Sequence, residues 1–100
     1  MTVDRRFGSK HPRHASIEYG LNYGFVAETM AADGCEIDAY IVGVLEPLDS
    51  FEGECIGIIH RYDDVEDKLI VALFGQNFSD EEIAKMTDFQ EQFFKSTLIR

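Results

Sequence analysis

The sequence predicts a mainly β protein (α+β by content), in which five short strands form a small OB-like β-barrel that C-terminal helices cover. Apolar and polar residues alternate with the two-residue period of a strand along most of the chain, and turn residues separate these stretches. Helix-capping patterns appear only near the C-terminus. Strands that are followed by helices, instead of alternating with them, favour a small barrel with helical cover.

The five strands follow from this alternation and from the turns between them. The alternation of apolar and polar residues is clearest from residue 37 to residue 45, where Ile37, Ala39 and Ile41 alternate with Asp38 and Tyr40. We expect the last two strands to pair as an antiparallel hairpin, because only a short acidic connection separates them. The predicted strands are Thr2–Arg6, Tyr23–Met30, Ile37–Leu45, Glu54–Tyr62 and Val65–Phe74.

The C-terminal region is predicted to be helical. Ser79 is followed three residues later by Glu82, which is a capping box, and Thr87 with Gln90 forms a second pattern of this kind. Aromatic residues then fall at helical spacing, and such a stripe is more typical of a core face than of a binding site. These residues are Phe89, Phe93 and Phe94.

Length and charge restrict the class of protein. The 100 residues predict a single domain, 1–100, with one modest core. A net charge of −10 opposes binding to nucleic acid and to acidic membranes. No apolar run approaches the ~20 residues of a membrane helix, and the charged N-terminus does not resemble a signal peptide. Since Cys35 and Cys55 form no Cys-x-x-Cys motif, we expect a cytoplasmic protein with reduced thiols.

Basic residues are concentrated at the N-terminus. Arg5, Arg6, Lys10 and Arg13 supply four of the nine Lys and Arg residues, and Asp4 is the acid among them. Such a cluster either offsets the repulsion between the acidic chain and a polyanionic small substrate, or is a solvated surface. Both interpretations stay open at this point.

Carboxylates are concentrated in two turns. Asp33 and Asp38 bracket an Asp-Gly turn, while Asp63, Asp64, Glu66 and Asp67 lie between the last two strands. Oxygen ligands suit hard divalent cations, and clustered cations neutralise phosphoryl oxygens and make water nucleophilic. Acidic turns are also common without any metal, so the carboxylates alone leave both readings open.

Two segments resemble the soluble family I inorganic pyrophosphatases. Residues 19–38, with Tyr19, Tyr23, Asp33 and Asp38, are similar to the family pattern Asn-Tyr-Gly-Tyr/Phe followed by Asp-Gly-Asp-x-x-Asp. Residues 57–68 are similar to a second block that ends in Asp-x-Lys. The resemblance implies metal-dependent hydrolysis of inorganic diphosphate (pyrophosphate) to two phosphates, with Mg²⁺ as cofactor, in a homo-oligomer. The charge and hydropathy described above lead us to expect no nucleic acid and no membrane as partners.

The resemblance also implies roles for particular residues. The metal ligands would be Asp33, Asp38, Asp63, Glu66 and Asp4, and the catalytic residues Asp33, Asp38, Asp63 and Tyr23. Phosphate would be bound by Lys68, Lys95, Arg13 and Tyr23. Glu66 stands in place of an aspartate, and Phe94 and Lys95 stand where the family has Tyr-Lys. We expect the Lys68 side chain to be solvent-accessible.

Cys35 departs from the family pattern, since it stands where the middle aspartate of the turn is expected. A thiol with an ordinary pKa of about 8.5 is mostly protonated at neutral pH, and it is a poor ligand for Mg²⁺. Either Glu36 fills this position, or Mn²⁺ or Zn²⁺ replaces Mg²⁺. Two alternatives to diphosphate hydrolysis therefore stay open: a degenerate module of the same fold that binds phosphate or nucleotide without turnover, and a hydrolase of another phosphoanhydride.

Overall fold

A computed structural model describes residues 1–11, 13, 18–26, 36–62 and 67–100. Within these ranges the chain is mainly β, as predicted. The elements are β1 (Thr2–Arg5), β2 (Asn22–Val26), β3 (Ile37–Ile41), β4 (Glu54–Arg61), β5 (Asp67–Ala72), α1 (Asp80–Glu91) and β6 (Ser96–Ile99).

The strands form one sheet in the order β1-β2-β3-β5-β4-β6. Neighbouring strands are antiparallel except for β3 and β5, which are parallel. The predicted hairpin of β4 and β5 is confirmed. β1 and β6 are the two edges of the sheet, and the described residues contain no pairing between them, so closure into a barrel stays a prediction.

β1 and β4 end one residue earlier than predicted, and two other strands end earlier by two residues or more, for backbone reasons. β3 ends at Ile41 and not at Leu45, and Gly43 then adopts a φ of 85° that does not continue an extended strand. β5 ends at Ala72 because the chain turns, with the backbone N–H of Gln76 donating to the Leu73 carbonyl. The predicted end of the second strand at Met30 and the predicted start of the fifth at Val65 lie outside the described residues.

Two predictions for the C-terminal region are wrong. The pattern at Thr87 does not begin a second helix, because Thr87 lies inside α1 and its hydroxyl donates to the Ile83 carbonyl at 2.9 Å. The residues after α1 do not continue as helix but form β6, in which Ser96 pairs with Arg61 of β4. The run of Thr97 and its apolar neighbours suits a strand that gains its stability from this pairing.

The first capping box is confirmed. The Ser79 hydroxyl accepts a hydrogen bond from the Glu82 backbone N–H at 3.1 Å, and the Glu82 carboxylate accepts one from the Ser79 N–H at 2.9 Å. This backbone donation lowers the pKa of Glu82 below its ordinary value. The cap therefore fixes where α1 begins.

The core lies between α1 and one face of the sheet. Its buried members are Leu21, Tyr40, Val42, Ile59, Ile70, Ala72 and Ile83. Phe89 packs against this cluster, whereas Phe93 is 61% exposed and Phe94 lies under the Arg61 guanidinium. The predicted aromatic core stripe is thus right for Phe89 and wrong for Phe93. No helix in the described ranges has the length and hydrophobicity needed to span a bilayer.

Candidate functional site

The two segments that resemble the family meet where β2 and β4 end and where β3 and β5 begin. We call this side of the sheet the Asp38 edge, which is different from the edge strands β1 and β6. β3 and β5 run parallel and pair Tyr40 with Ile70, so Asp38 and Lys68 stand two residues earlier on both strands and share that face. Val26, at the end of β2, pairs with Ile37, the first residue of β3, and therefore lies at the same edge. β4 ends at this edge too, because it is antiparallel to β5.

Asp38 is the centre of a cluster of three side chains from three strands. Its Oδ2 atom accepts hydrogen bonds from the Tyr23 hydroxyl at 2.9 Å and from the Lys68 ammonium at 2.7 Å. The Asp38 side chain keeps 33% of its surface exposed, while that of Lys68 keeps 2%. A solvent-borne ligand can therefore reach the carboxylate, and the ammonium behind it supplies a charge-assisted hydrogen bond.

The prediction that Lys68 is solvent-accessible is wrong. Side chains alternate along β5, so Lys68 shares the face of Ile70 and Ala72, which line the core. The ion pair with Asp38 compensates the buried charge, and the Lys68 nitrogen lies 5.8 Å from the centre of the Tyr23 ring. Lys68 is therefore buried because its side chain lies on the core face of β5, and Asp38 compensates its charge.

The Tyr23 hydroxyl keeps its proton in this environment. Burial raises the pKa of Tyr23 well above its ordinary value, and the negative charge of Asp38 raises it further. A phenol of this kind acts as a hydrogen-bond donor throughout the physiological range. Tyr23 therefore holds Asp38 in place as a neutral donor.

β1 brings a second carboxylate close enough to Asp38 to be influenced by its charge. Partial burial raises the pKa of Asp4, although much of its surface is exposed; Arg5 opposes this, and the charge of Asp38 adds to it. The same groups act on buried Tyr19, whose pKa is raised by burial, lowered by Arg5 and raised by both carboxylates. Asp4 and Asp38 thus form an electrostatically coupled pair.

Two predicted phosphate-binding residues lie outside this cluster. Lys95 is exposed, and its carbonyl accepts a 2.7 Å hydrogen bond from the Tyr62 N–H, which places it beside the end of β4 at the same sheet edge. Arg13 is exposed, and its backbone N–H donates to the His11 ring. Among the described residues no contact joins the Arg13 side chain to Asp38.

Several predicted residues cannot be placed. Asp33, Cys35, Asp63 and Glu66 lie outside the described residues. The strand ends that flank their segments, at Val26, Ile37, Arg61 and Asp67, are described and lie at the edge that carries Asp38.

The fit to a divalent cation rests on Asp4 and Asp38. Within the described ranges there is no group of three or more His, Cys, Asp or Glu side chains that could hold a metal. Mg²⁺, however, commonly binds to one or two carboxylates together with waters and substrate phosphates. Burial is the main cause of the raised pKa of Asp4, and a cation would offset the smaller contribution from the charge of Asp38. The donor set is therefore compatible with this ion.

The sequence did not reveal a buried polar network behind the cluster. The Arg61 guanidinium donates to both carboxylate oxygens of Glu91, at 3.0 Å from Nε and 2.5 Å from Nη2. The Tyr40 hydroxyl donates to Glu91 at 2.6 Å and accepts from Gln90 at 2.7 Å. We call these four residues the Arg61 network. The four-residue spacing of Ile83, Thr87 and Glu91 was a sequence signal that Glu91 faces the sheet.

Comparison with known proteins agrees with this geometry. The family model of inorganic pyrophosphatase matches residues 3–98. An inorganic pyrophosphatase of Saccharolobus solfataricus is 29% identical over 80 residues, which cover 78% of this chain and 46% of that protein. The chain thus spans about half the length of this curated relative. Because the family match extends from β1 to β6, this chain belongs to the inorganic pyrophosphatase family.

Proposed function

We propose that this chain hydrolyses inorganic diphosphate to two phosphates with the help of a divalent cation. The observation that carries the proposal is the Asp38 cluster, in which Tyr23 and Lys68 from separate parts of the chain bond to one carboxylate oxygen. The family resemblance assigns all three residues to the site. Membership of the inorganic pyrophosphatase family supports diphosphate as the substrate.

The charge of the chain favours the participation of a cation in this function. A net charge of −10 repels a diphosphate anion unless positive charge intervenes. We assign the cation to Asp38 and Asp4, with Asp33, Asp63 and Glu66 as further ligands. A bound divalent cation, Mg²⁺ or in view of Cys35 Mn²⁺ or Zn²⁺, would neutralise phosphoryl oxygens and lower the pKa of a water molecule.

The described side chains prepare Asp38 for this role. Tyr23 and Lys68 both donate to Oδ2, and Asp38 would be one of the residues that hold the cation. The hydrogen bonds from Tyr23 and Lys68 fix the orientation of the carboxylate. In this proposal the buried Lys68 ammonium also attracts a phosphate that approaches Asp38, and the Tyr23 hydroxyl limits how the carboxylate can rotate.

We propose exposed basic residues as the outer phosphate ligands. Lys95 lies at the same sheet edge as Asp38 and would bind the outgoing phosphate. Arg13, or Arg5 beside Asp4, would bind the other phosphoryl group. We further propose that the protein is a cytoplasmic homo-oligomer, because a chain of this length gains stability from assembly.

The test is phosphate release from diphosphate with Mg²⁺, Mn²⁺, Co²⁺ and Zn²⁺ side by side. Asp38→Asn should lower turnover at least about 100-fold. Asp49→Asn is the matched control, because the Asp49 carboxylate is exposed and pairs with Arg6 and not with Asp38. Cys35→Asp should raise Mg²⁺-dependent turnover at least about tenfold, since it restores an oxygen ligand.

Other outcomes would favour a different function. If the wild-type protein releases no phosphate with any of the four metals but binds diphosphate, the chain is a binding module. Release from a nucleoside triphosphate but not from diphosphate would identify another phosphoanhydride as the substrate. Equal turnover of Asp38→Asn and Asp49→Asn would remove Asp38 from the site.

A further inference from the structure

The Arg61 network links helix α1 to the face of the sheet that carries the candidate site. Arg61 and Glu91 are 4% and 8% exposed, and both hydrogen bonds between them are formed inside the protein. Tyr40, which is fully buried, adds its hydroxyl, and Gln90 donates to that hydroxyl. In the described residues no buried side-chain nitrogen or oxygen lacks a hydrogen-bond partner. The network is therefore complete and geometrically fixed.

Stability alone does not explain such a network. The desolvation of two buried charges offsets much of their attraction, and apolar residues of similar size are often as stable or more so. What a bidentate Arg–Glu pair provides is orientation, because the planar guanidinium matches the carboxylate in one arrangement only. The group whose orientation this pair fixes is the Tyr40 phenol.

Tyr40 lies directly behind the Asp38 cluster. The centres of the Tyr40 and Tyr23 rings are 5.0 Å apart, and the Tyr23 hydroxyl donates to Asp38. The Lys68 nitrogen lies 5.8 Å from the centre of the Tyr23 ring and bonds to the same carboxylate oxygen. A shift of the Tyr40 ring therefore moves Tyr23, and with Tyr23 the carboxylate that it holds.

Arg61 also contacts the segment that follows α1. Its guanidinium lies 3.8 Å from the centre of the Phe94 ring, in cation–π geometry. Tyr62, which follows the last residue of β4, donates its backbone N–H to the Lys95 carbonyl. The Arg61 side chain thus contacts both the network that supports Tyr23 and the residue that precedes Lys95.

We propose that the Arg61 network positions the candidate site: it orients Tyr40, which supports Tyr23 and through it the Asp38–Lys68 pair. Arg61, Glu91 and Tyr40 are positioning residues, since they are buried and do not reach a substrate. The effect on turnover rests on the proposed function, whereas the effect on Tyr23 and Lys68 does not.

The experiment compares an apolar variant of the network with a matched control. Arg61→Met/Glu91→Leu removes both charges, and Arg100→Met removes the ion pair between Arg100 and Asp80 at the other end of α1. The first readout is the NMR signal of the Lys68 ammonium, together with the Tyr23 ring signals. The second readout is kcat and KM for diphosphate with Mg²⁺.

We expect the double variant to fold, to shift the Lys68 and Tyr23 signals, and to lower kcat about tenfold with KM changed less than twofold. Arg100→Met should change neither readout. Signals and kcat that match Arg100→Met would overturn the proposal. If wild-type protein has no turnover, the proposed function fails and the NMR signals alone decide the positioning role. If the double variant does not fold, Tyr40→Phe, which keeps the ring but removes the hydroxyl, takes its place. Shifted Lys68 and Tyr23 signals in Tyr40→Phe would then support the positioning role, and unchanged signals would overturn it.

Discussion

Replacing Arg61 alone by methionine should strongly destabilise the fold. The change leaves the Glu91 carboxylate, which is 8% exposed, without its countercharge and without two of its hydrogen bonds. Removing one partner of a buried ion pair costs about 3–5 kcal/mol. The whole free energy of unfolding of such a chain is about 5–15 kcal/mol. At about 4–8 °C per kcal/mol, Tm should fall by at least about 12 °C.

Replacing both partners should restore most of this loss. Arg61→Met/Glu91→Leu leaves no buried charge, and its free energy of unfolding should lie within about 1 kcal/mol of the wild type. If Glu91→Leu alone also costs about 3–5 kcal/mol, the double-mutant cycle should then give a coupling free energy of at least about 5 kcal/mol between the two positions. A coupling of this size would show that the single variants lose stability mainly because one buried charge is left uncompensated, and not because packing is lost.

Urea denaturation followed by far-UV circular dichroism measures these free energies, since the chain contains no tryptophan. Arg100→Met, which removes the exposed pair with Asp80, is the control. If Arg61→Met is no less stable than this control, or if the double variant is as unstable as Arg61→Met, the reasoning is refuted.

Three further predictions concern single side chains. Lys68→Met should weaken Mg²⁺-dependent diphosphate binding about tenfold in calorimetry, and unchanged affinity would exclude Lys68 from the site. In urea denaturation it should lower the free energy of unfolding by about 1–2 kcal/mol, which is less than for a fully buried pair because Asp38 is partly exposed. Asp4→Asn should weaken Mg²⁺ binding but slightly raise Tm at neutral pH. The raised pKa of Asp4 means that its ionised form costs stability, a cost that disappears as pH falls through that pKa, so Tm curves of variant and wild type should converge in acid; parallel curves would contradict this. Ser79→Ala should lower the free energy of unfolding by about 1 kcal/mol, because it removes the helix cap. The pKa of Glu82 is lowered by its bond to the Ser79 backbone, so the stability that its carboxylate contributes should be lost as pH falls through that pKa. The stability of Glu82→Gln should therefore depend less on acidic pH than that of the wild type.

The resemblance named the three residues of the Asp38 cluster, and strand periodicity, which is local, predicts a shared face for two of them. Asp38 and Lys68 each lie on an alternating strand, and their shared face follows once β3 and β5 are neighbours. The burial of Lys68 could not be read in the same way. A lysine is buried only when a partner compensates its charge, and that partner comes from another strand, 30 residues away.

β6 was missed because its stability comes from pairing and not from its own residues. The strand is only four residues long, and it gains its hydrogen bonds from β4, far away in the chain. The pattern at Thr87 added a misleading helix signal. Inside α1 the Thr87 hydroxyl bonds to the preceding turn, which is how threonine is accommodated in the middle of a helix.

The Arg61 network escaped prediction for the same reason, and it changes how the site is understood. An arginine and a glutamate 30 residues apart look like surface residues until α1 and β4 bring them together. Tyr23, Asp38 and Lys68 bond to one another, and the network packs behind them through Tyr40. The arrangement of Asp38 therefore depends on buried side chains of the sheet and of α1, while Cys35 bears on how many oxygen ligands a cation would find. Turnover in Cys35→Asp tests the second factor, and the Lys68 signal in the apolar network variant tests the first, so the effects of the two factors on the site can be told apart.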